Sequence, residues 1–112
     1  MASRIAESNE PITRGTGNVF ADLGFDEPEI ELVKARLSAK IAAEITRRGW
    51  TQQQAALQLG IDQPRVSLLV RGKTGQFSLE RLLDLLALLN FDVHLETSPS
   101  PTTARGRLTV GV

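Results

Sequence analysis

The sequence is most restrictive in what it lacks. None of its 112 residues is cysteine, and His94 is its one histidine. The absence of cysteine excludes a disulfide scaffold, a thiolate zinc site and a cysteine nucleophile. One histidine cannot form a histidine-rich metal cluster, so the sequence predicts no metal and no other cofactor. The longest apolar run, Leu85 to Leu89, is far shorter than the roughly 18 residues that a membrane-spanning helix needs.

Signals for secretion and for catalysis are also missing. The segment from Met1 to Asn9 has no apolar stretch of the kind that secretory signals carry, so the sequence predicts a cytoplasmic protein. There is no Ser/His/Asp set, no glycine-rich phosphate loop and no carboxylate pair in a definable cleft, and we therefore predict that the chain is not an enzyme. Its length suits one domain with a modest core and with tails.

The formal net charge is zero, but the charges are segregated along the chain. Residues 1–33 carry seven acidic and two basic side chains, a balance of −5. Residues 47–73 carry five basic side chains and one acidic side chain, a balance of +4. This asymmetry predicts a basic working surface with an acidic region beside it.

Hydrophobic spacing and capping signals predict a mainly helical domain. Apolar residues recur at intervals of three, four, four and four from Ile30 to Ile45, which predicts an amphipathic helix ending near Arg48. Thr51 with Gln54 forms a capping box for a second helix that stops at Gly60. Asp62 and Ser78 are N-caps for two further helices, which stop at Gly72 and near Asn90. A single apolar turn around residues 19–25 raises the prediction to about five helices.

The flanks of this domain differ in pattern from its centre. Residues 1–17 are polar and contain proline and glycine, so we predict a flexible N-terminal arm before a domain at 18–96. Phe91, Val93 and Leu95 alternate with polar residues, which predicts a short strand at 91–96. Residues 97–112 begin with a run rich in serine, proline and threonine and are predicted to be a disordered tail.

The most informative stretch, residues 51–71, encodes two short helices joined by a tight turn. Ala56 is small where the helices must cross, Gly60 allows a left-handed turn, and Ile61 fills the corner. Val66, Leu69 and Val70 are predicted to face the core at positions i, i+3 and i+4. The opposite face of the second helix then presents residues 63–65, 67 and 68 outward.

This pattern resembles the helix-turn-helix of the XRE/Cro (lambda-repressor-like) family. The matching features are Gln52 at the start of the first helix, Ala56, Gly60, the cap-Gln-Pro start of the second helix, and Val66. The resemblance covers about residues 30–90. It implies an all-α, lambda-repressor-like five-helix DNA-binding domain, here with a short C-terminal strand, that binds a double-stranded DNA operator.

The resemblance assigns the contacts to DNA. Gln63 pairs with adenine and Arg65 with guanine, whereas Ser67 reaches a base edge or a phosphate and Pro64 fixes helix entry or touches a thymine methyl. The predicted backbone contacts are Gln52, Arg71, Lys73 and Thr74. Arg47 and Arg48 are better explained as helix-end charges.

The flanks from Gly17 to Phe25 and the late strand resemble a subgroup of XRE proteins often described as HigA-type antitoxins. That resemblance implies a basic ribonuclease toxin of the HigB/RelE type as a partner, and repression of the shared promoter. The alternatives are a stand-alone XRE-family regulator and a scaffold used only for protein contacts. An isolated strand leaves backbone groups unpaired, so we predict a homodimer in which Phe91, Val93 and Leu95 form the interface. The alternatives are that residues 91–96 pair with the segment around Val19 and Phe20, or that they simply lie on the body of the domain.

Overall fold

The computed structural model describes residues 25–102 and 105–111, and within these ranges it is all-helical. Helix α1 spans Glu27–Arg47, α2 spans Gln52–Leu59, α3 spans Gln63–Val70 and α4 spans Leu79–Leu88. The described residues thus contain four helices, whereas about five were predicted. The predicted turn at 19–25 lies outside the described residues except for Phe25.

The predicted helix boundaries are confirmed at their caps. The side chains of Asp26, Asp62 and Ser78 each accept a hydrogen bond from the backbone N–H three residues later. Thr51 and Gln54 form the capping box, with distances of 2.8 Å and 3.1 Å between the bonded atoms. Left-handed backbone follows each helix, at Gly60, Gly72 and Asn90 as predicted, and at Gly49 after α1.

The core forms where α1 packs against α4 and α3, and α3 packs against α2. Ile41, Leu59, Leu69, Leu82 and Leu85 are essentially inaccessible to solvent. Burial of a side chain of this size stabilises the fold by about 1.5–3 kcal/mol before the entropy of ordering is subtracted. The predicted apolar face of α1 is confirmed, since its residues at 30, 33, 37, 41 and 45 are all buried.

A partly buried ionic network joins the end of α1 to the end of α4. The Glu44 carboxylate, on a residue that is 8% exposed, accepts hydrogen bonds from Arg47 and Arg48 at 2.6–3.0 Å. Arg48 also donates to the carbonyl of Leu89 at 2.6 Å and to the side chain of Asn90 at 3.2 Å. Both arginines therefore act at the helix end, as their positions suggested.

The predicted strand at 91–96 does not form within this chain. Phe91 is anchored by a backbone hydrogen bond to Leu86, but the next five residues are exposed and without regular structure. The physical reason is that a strand needs a neighbour for its backbone groups, and no other described segment provides one. The alternative partner around Val19 and Phe20 lies outside the described residues.

The C-terminal segment returns to the body of the domain. Leu108 and Val110 pack against the core, and the backbone N–H of Leu108 donates to the carboxylate of Glu29 on α1. The guanidinium of Arg105 lies 5.5 Å from the centre of the Phe25 ring. Composition alone did not indicate these contacts. Among the described residues, no helix has the length and hydropathy needed to cross a membrane.

Candidate nucleic-acid interface

The turn between α2 and α3 sets the placement of the candidate interface. Gly60 adopts φ 70°, a left-handed conformation that costs other L-residues about 1–2 kcal/mol. Its N–H and that of Ile61 both donate to the carbonyl of Ala56, which closes α2. Asp62 then caps α3 immediately. The two helices are therefore joined by three residues, and the start of α3 is held at a fixed position beside α2.

The two faces of α3 differ sharply in burial. Val66 and Leu69 are 0% and 1% exposed and anchor the helix to the core, as predicted. The prediction was wrong for Val70, which lies at the end of the helix and is 37% exposed. Gln63, Pro64 and Arg65 at its N-terminal end are exposed. A shallow depression of about 330 Å³ follows the outer face and is lined by Asp62, Pro64, Arg65, Ser67, Leu68, Arg71 and Gln76. The predicted base-reading residues are thus brought to one surface, with Ser67 half-buried.

Arg65 has an internal partner on this surface. Its guanidinium lies 3.6 Å from the carboxylate of Asp62, and both side chains are about half exposed. An exposed ion pair of this kind contributes about 0–1 kcal/mol, so it does not lock the guanidinium in place. Asp62 keeps its cap to the backbone N–H of Arg65 at 2.9 Å, independently of the ion pair. Arg65 is accordingly available to an external acceptor.

Two exposed cations flank the C-terminal end of α3. Arg71 donates from Nε to the carbonyl of Ser67 at 3.3 Å, which holds its side chain along the helix. The backbone N–H of Lys73 donates to the carbonyl of Leu68 at 2.9 Å and fixes the start of the loop that leads to α4. Arg65, beside Asp62, and Arg71 both line the depression, and Lys73 is exposed in the loop that follows α3.

The geometry agrees with two comparisons with known proteins. The model of a family described as "Helix-turn-helix domain" matches residues 19–98. A solved structure named "Putative XRE Family Transcriptional Regulator" is 38% identical with a TM-score of 0.71, and the match covers 78% of this chain and 99% of that one. The chain belongs to the XRE-type helix-turn-helix family. Among curated proteins, no match was found.

Two predicted backbone contacts of this helix-turn-helix domain have other surroundings than expected. Thr74 is 5% exposed, and its hydroxyl lies 3.4 Å from the carboxylate of Glu31 on α1. Its side chain therefore braces the loop from inside instead of facing outward with Lys73. Gln52, also predicted to contact the DNA backbone, is half-buried at the start of α2.

The helix-turn-helix surface also includes a residue that the sequence did not single out. Gln76 is exposed and lines the same depression as Arg65 and Arg71, although it belongs to the loop before α4. A second depression, of about 690 Å³, lies between the α2–α3 turn and the start of α4 and also contains Gln76, together with Arg81. No motif marks residue 76, because only the packing of the loop against α3 brings it there.

The groups with clearly shifted pKa values lie away from this surface. Hydrogen bonds from Arg47 and Arg48 lower the pKa of Glu44 from its ordinary value of 4.5 to about 2. This shift reports a structural ion pair in the XRE-type domain, not an acid or base for catalysis. Among the described residues, no group of three or more histidine or acidic side chains is arranged to hold a metal ion.

Proposed function

We propose that this chain is a transcriptional regulator that binds double-stranded DNA by inserting α3 into the major groove. The observation that carries the proposal is the division of α3 into a buried apolar face and an exposed polar face that begins at its N-terminus. In helix-turn-helix proteins the N-terminal residues of the second helix lie at the base edges. Membership of the XRE-type family supports the same function.

The roles of individual residues follow from their donors and acceptors. Gln63 pairs bidentately with adenine, and Arg65 pairs bidentately with guanine once it leaves Asp62. Ser67 bonds a base edge or a phosphate. Pro64 has no donor, and its ring fixes the entry of the helix or contacts a thymine methyl.

The proposed backbone contacts position the protein without reading sequence. Arg71 and Lys73 supply positive charge to phosphates on one side of the groove, and Gln52 supplies an amide at the start of α2. Gln76 joins this set because it lines the same depression. Thr74 acts indirectly in this proposal, by holding the loop that carries Lys73.

We include a homodimer in the proposed function, with an interface at Phe91, Val93 and Leu95. The backbone groups of the exposed segment after Phe91 have no partner in the described residues, and Leu95 is 80% exposed. A second copy supplies a matching segment by symmetry. A twofold dimer would present two recognition helices, so the proposed operator is an inverted repeat through which the protein represses its own promoter.

An antitoxin role is a second candidate. The feature that favours it is the acidic start of α1, where the side chains at 26, 27, 29 and 31 are all carboxylates. Such a surface suits a basic ribonuclease as a partner. A neighbouring reading frame for a small basic ribonuclease, and co-purification of its product with this chain, would support this role. A stand-alone regulator would have neither.

The experiment that tests DNA binding is selection of bound duplexes from a random pool at a stated salt concentration. We expect enrichment of an inverted repeat, with affinity that falls steeply as salt increases. Recovery of no enriched sequence, with affinity independent of salt, would contradict the proposal and favour a scaffold for protein contacts.

A further inference from the structure

An apolar groove lies beside the segment 91–96, on the side of α1 and α4. It has a volume of about 540 Å³, and its apolar lining includes Leu37, Leu83, Leu86, Phe91, Leu108 and Val110. The groove is bordered by two segments without regular structure, 91–96 and 108–111. An open apolar groove next to unpaired backbone is the arrangement that an added strand would cover.

The segment is anchored at one end and free along the rest. Phe91 donates its N–H to Leu86, and the ammonium group of Lys40 lies 5.5 Å from the centre of the Phe91 ring. In the described part of the chain, no backbone–backbone hydrogen bond involves residues 92–96. Val93 is 42% exposed. The start of the segment therefore has a fixed position, and the following residues have both donors and acceptors to offer.

Symmetry limits how two copies of this segment can pair. Opposite residues in an antiparallel pair share a face of the sheet. When a twofold axis relates the two copies, one residue must therefore lie next to the axis, directly opposite the same residue of the partner. Residues equally far before and after it are then opposite each other. The choice among Asp92, Val93 and His94 can be decided by charge.

An axis at Val93 places Phe91 opposite Leu95 of the partner and Asp92 opposite the partner's His94. This register joins apolar residues on one face and a carboxylate with an imidazole N–H donor on the other. An axis at His94 places Asp92 of each copy opposite Glu96 of the other, which gives two such pairs. An axis at Asp92 places two copies of Asp92 opposite each other. Like charges directly opposite are destabilising, so the axis at Val93 is favoured among these three. An axis at Leu95 would also avoid like charges, but it places Val93 opposite the partner's Thr97 and Phe91 opposite the partner's Pro99, so the apolar pairs are lost.

We infer that a second copy of this chain docks its 91–96 segment antiparallel to the first, with the twofold axis at Val93 and Asp92 paired with His94 of the partner. Phe91, Val93 and Leu95 of both copies then cover the grooves between α1, α4 and the C-terminal segments. The inference rests on the dimer in the proposed function, and adds its register, its polar pair and the surface that it covers.

The cysteine-free sequence permits a direct test, since each introduced cysteine is the only one in the chain. Val93→Cys, Asp92→Cys and His94→Cys would be oxidised at low micromolar concentration and resolved on a non-reducing gel. We expect Val93→Cys to form disulfide-linked dimers about ten times faster than either of the other two, because only directly opposite residues bring their Cβ atoms within disulfide reach. These positions lie outside the core, and circular dichroism checks that each variant is folded.

A mixed experiment tests the polar pair separately. Asp92→Cys mixed with a differently sized, tagged His94→Cys should give heterodimers faster than either gives homodimers. Asp92→Lys should weaken dimerisation about tenfold in sedimentation, because it removes the carboxylate that accepts from His94. The double change Asp92→Lys with His94→Glu should restore dimerisation, because an ammonium group and a carboxylate then lie opposite each other.

The results separate this inference from DNA binding. Three results would overturn the register. They are fastest cross-linking of His94→Cys, cross-linking at none of the three positions, and no rescue by the double change. Such a result would leave the DNA-binding function open to its own tests, since neither operator selection nor binding by α3 requires a cross-link. Loss of DNA binding with intact Val93→Cys cross-linking would instead overturn the DNA-binding function and leave the register supported.

Discussion

At the scale of single residues, Arg65 and Arg71 illustrate two kinds of positive charge on one helix. Arg65 lies at the N-terminal end of α3 beside Asp62, and Arg71 lies at the C-terminal end against its own backbone. A guanidinium at the base edges distinguishes sequences, whereas one at the phosphates adds attraction to any duplex. Mutation separates these roles.

We expect Arg65→Ala or Gln63→Ala to reduce operator affinity by roughly 1–3 kcal/mol and to relax the preference at one or two base pairs. The measurement is competition between the selected operator and duplexes changed at single positions. Arg36→Ala removes an exposed arginine from α1 and serves as the matched control. Unchanged specificity after both α3 substitutions would show that α3 is not the recognition helix.

Arg71→Ala and Lys73→Ala should weaken binding to all duplexes alike. Each substitution is expected to lower the slope of log affinity against log salt by about one unit, since each removes one phosphate contact. Titrations at several salt concentrations with the operator and with unrelated DNA would measure this. A substitution that changed base preference but not the slope would place that side chain at a base edge instead.

Glu44 gives the fold a pH dependence. Its pKa is lowered to about 2 in the folded chain, so its ion pairs stabilise the native state above the ordinary carboxyl pKa of 4.5. This contribution should be lost as the pH falls from about 4.5 towards 2. In urea unfolding, Glu44→Gln should be less stable than the wild type at pH 7, and the difference should shrink at pH 2.5. An equal difference at both pH values would argue against the shifted pKa.

At the scale of elements, the short helices depend on their ends. Helices α2 and α3 have eight residues each, which is too short to persist alone in water. Their caps fix where each begins, and the left-handed Gly60 fixes the path between them. The glycine therefore contributes to the placement of α3 without touching a ligand.

Gly60→Ala should reduce the free energy of unfolding by about 1–2 kcal/mol, because alanine is strained at φ 70°. A methyl group there would meet no other atom within 4 Å, so the cost is in the backbone and not in a clash. Gly75→Ala is the matched control: its site is equally open, and its φ lies outside the left-handed range. Equal stability of the two variants in denaturant would contradict the explanation.

At the scale of the whole molecule, the unpaired backbone and the uncovered apolar surface lie at the C-terminal side of α4. The segment 91–96 has the alternation of a strand but no pairing partner within the described chain, and the groove beside it is apolar. The proposed dimer would pair this segment and cover the groove.

Val93→Pro removes a backbone N–H that the proposed strand pair needs, and it should give monomers whose operator binding is weakened. Analytical ultracentrifugation at micromolar concentration measures the first effect, and titration of the selected operator measures the second. The residue lies outside the core, so circular dichroism should remain that of the wild type. A Val93→Pro protein that stays dimeric would show that the interface lies elsewhere.

The sequence by itself determined the helices, their ends and the faces that they bury. Caps at Asp26, Thr51, Asp62 and Ser78 act over three residues, and apolar spacing repeats along one helix, so both can be read locally. The family and the candidate recognition residues Gln63 and Arg65 followed from the same local pattern.

Only the tertiary structure decided which side chains share a surface. It turned Thr74 inward to Glu31, placed Gln76 beside α3 and brought Leu108 and Val110 onto the core. Thr74 and Glu31 are 43 positions apart, Leu108 and Glu29 are 79 positions apart, and the place of Gln76 depends on how its loop packs against α3. No local period encodes such contacts. The strand at 91–96 did not form for the same reason, because pairing requires a neighbour that a one-dimensional pattern cannot supply.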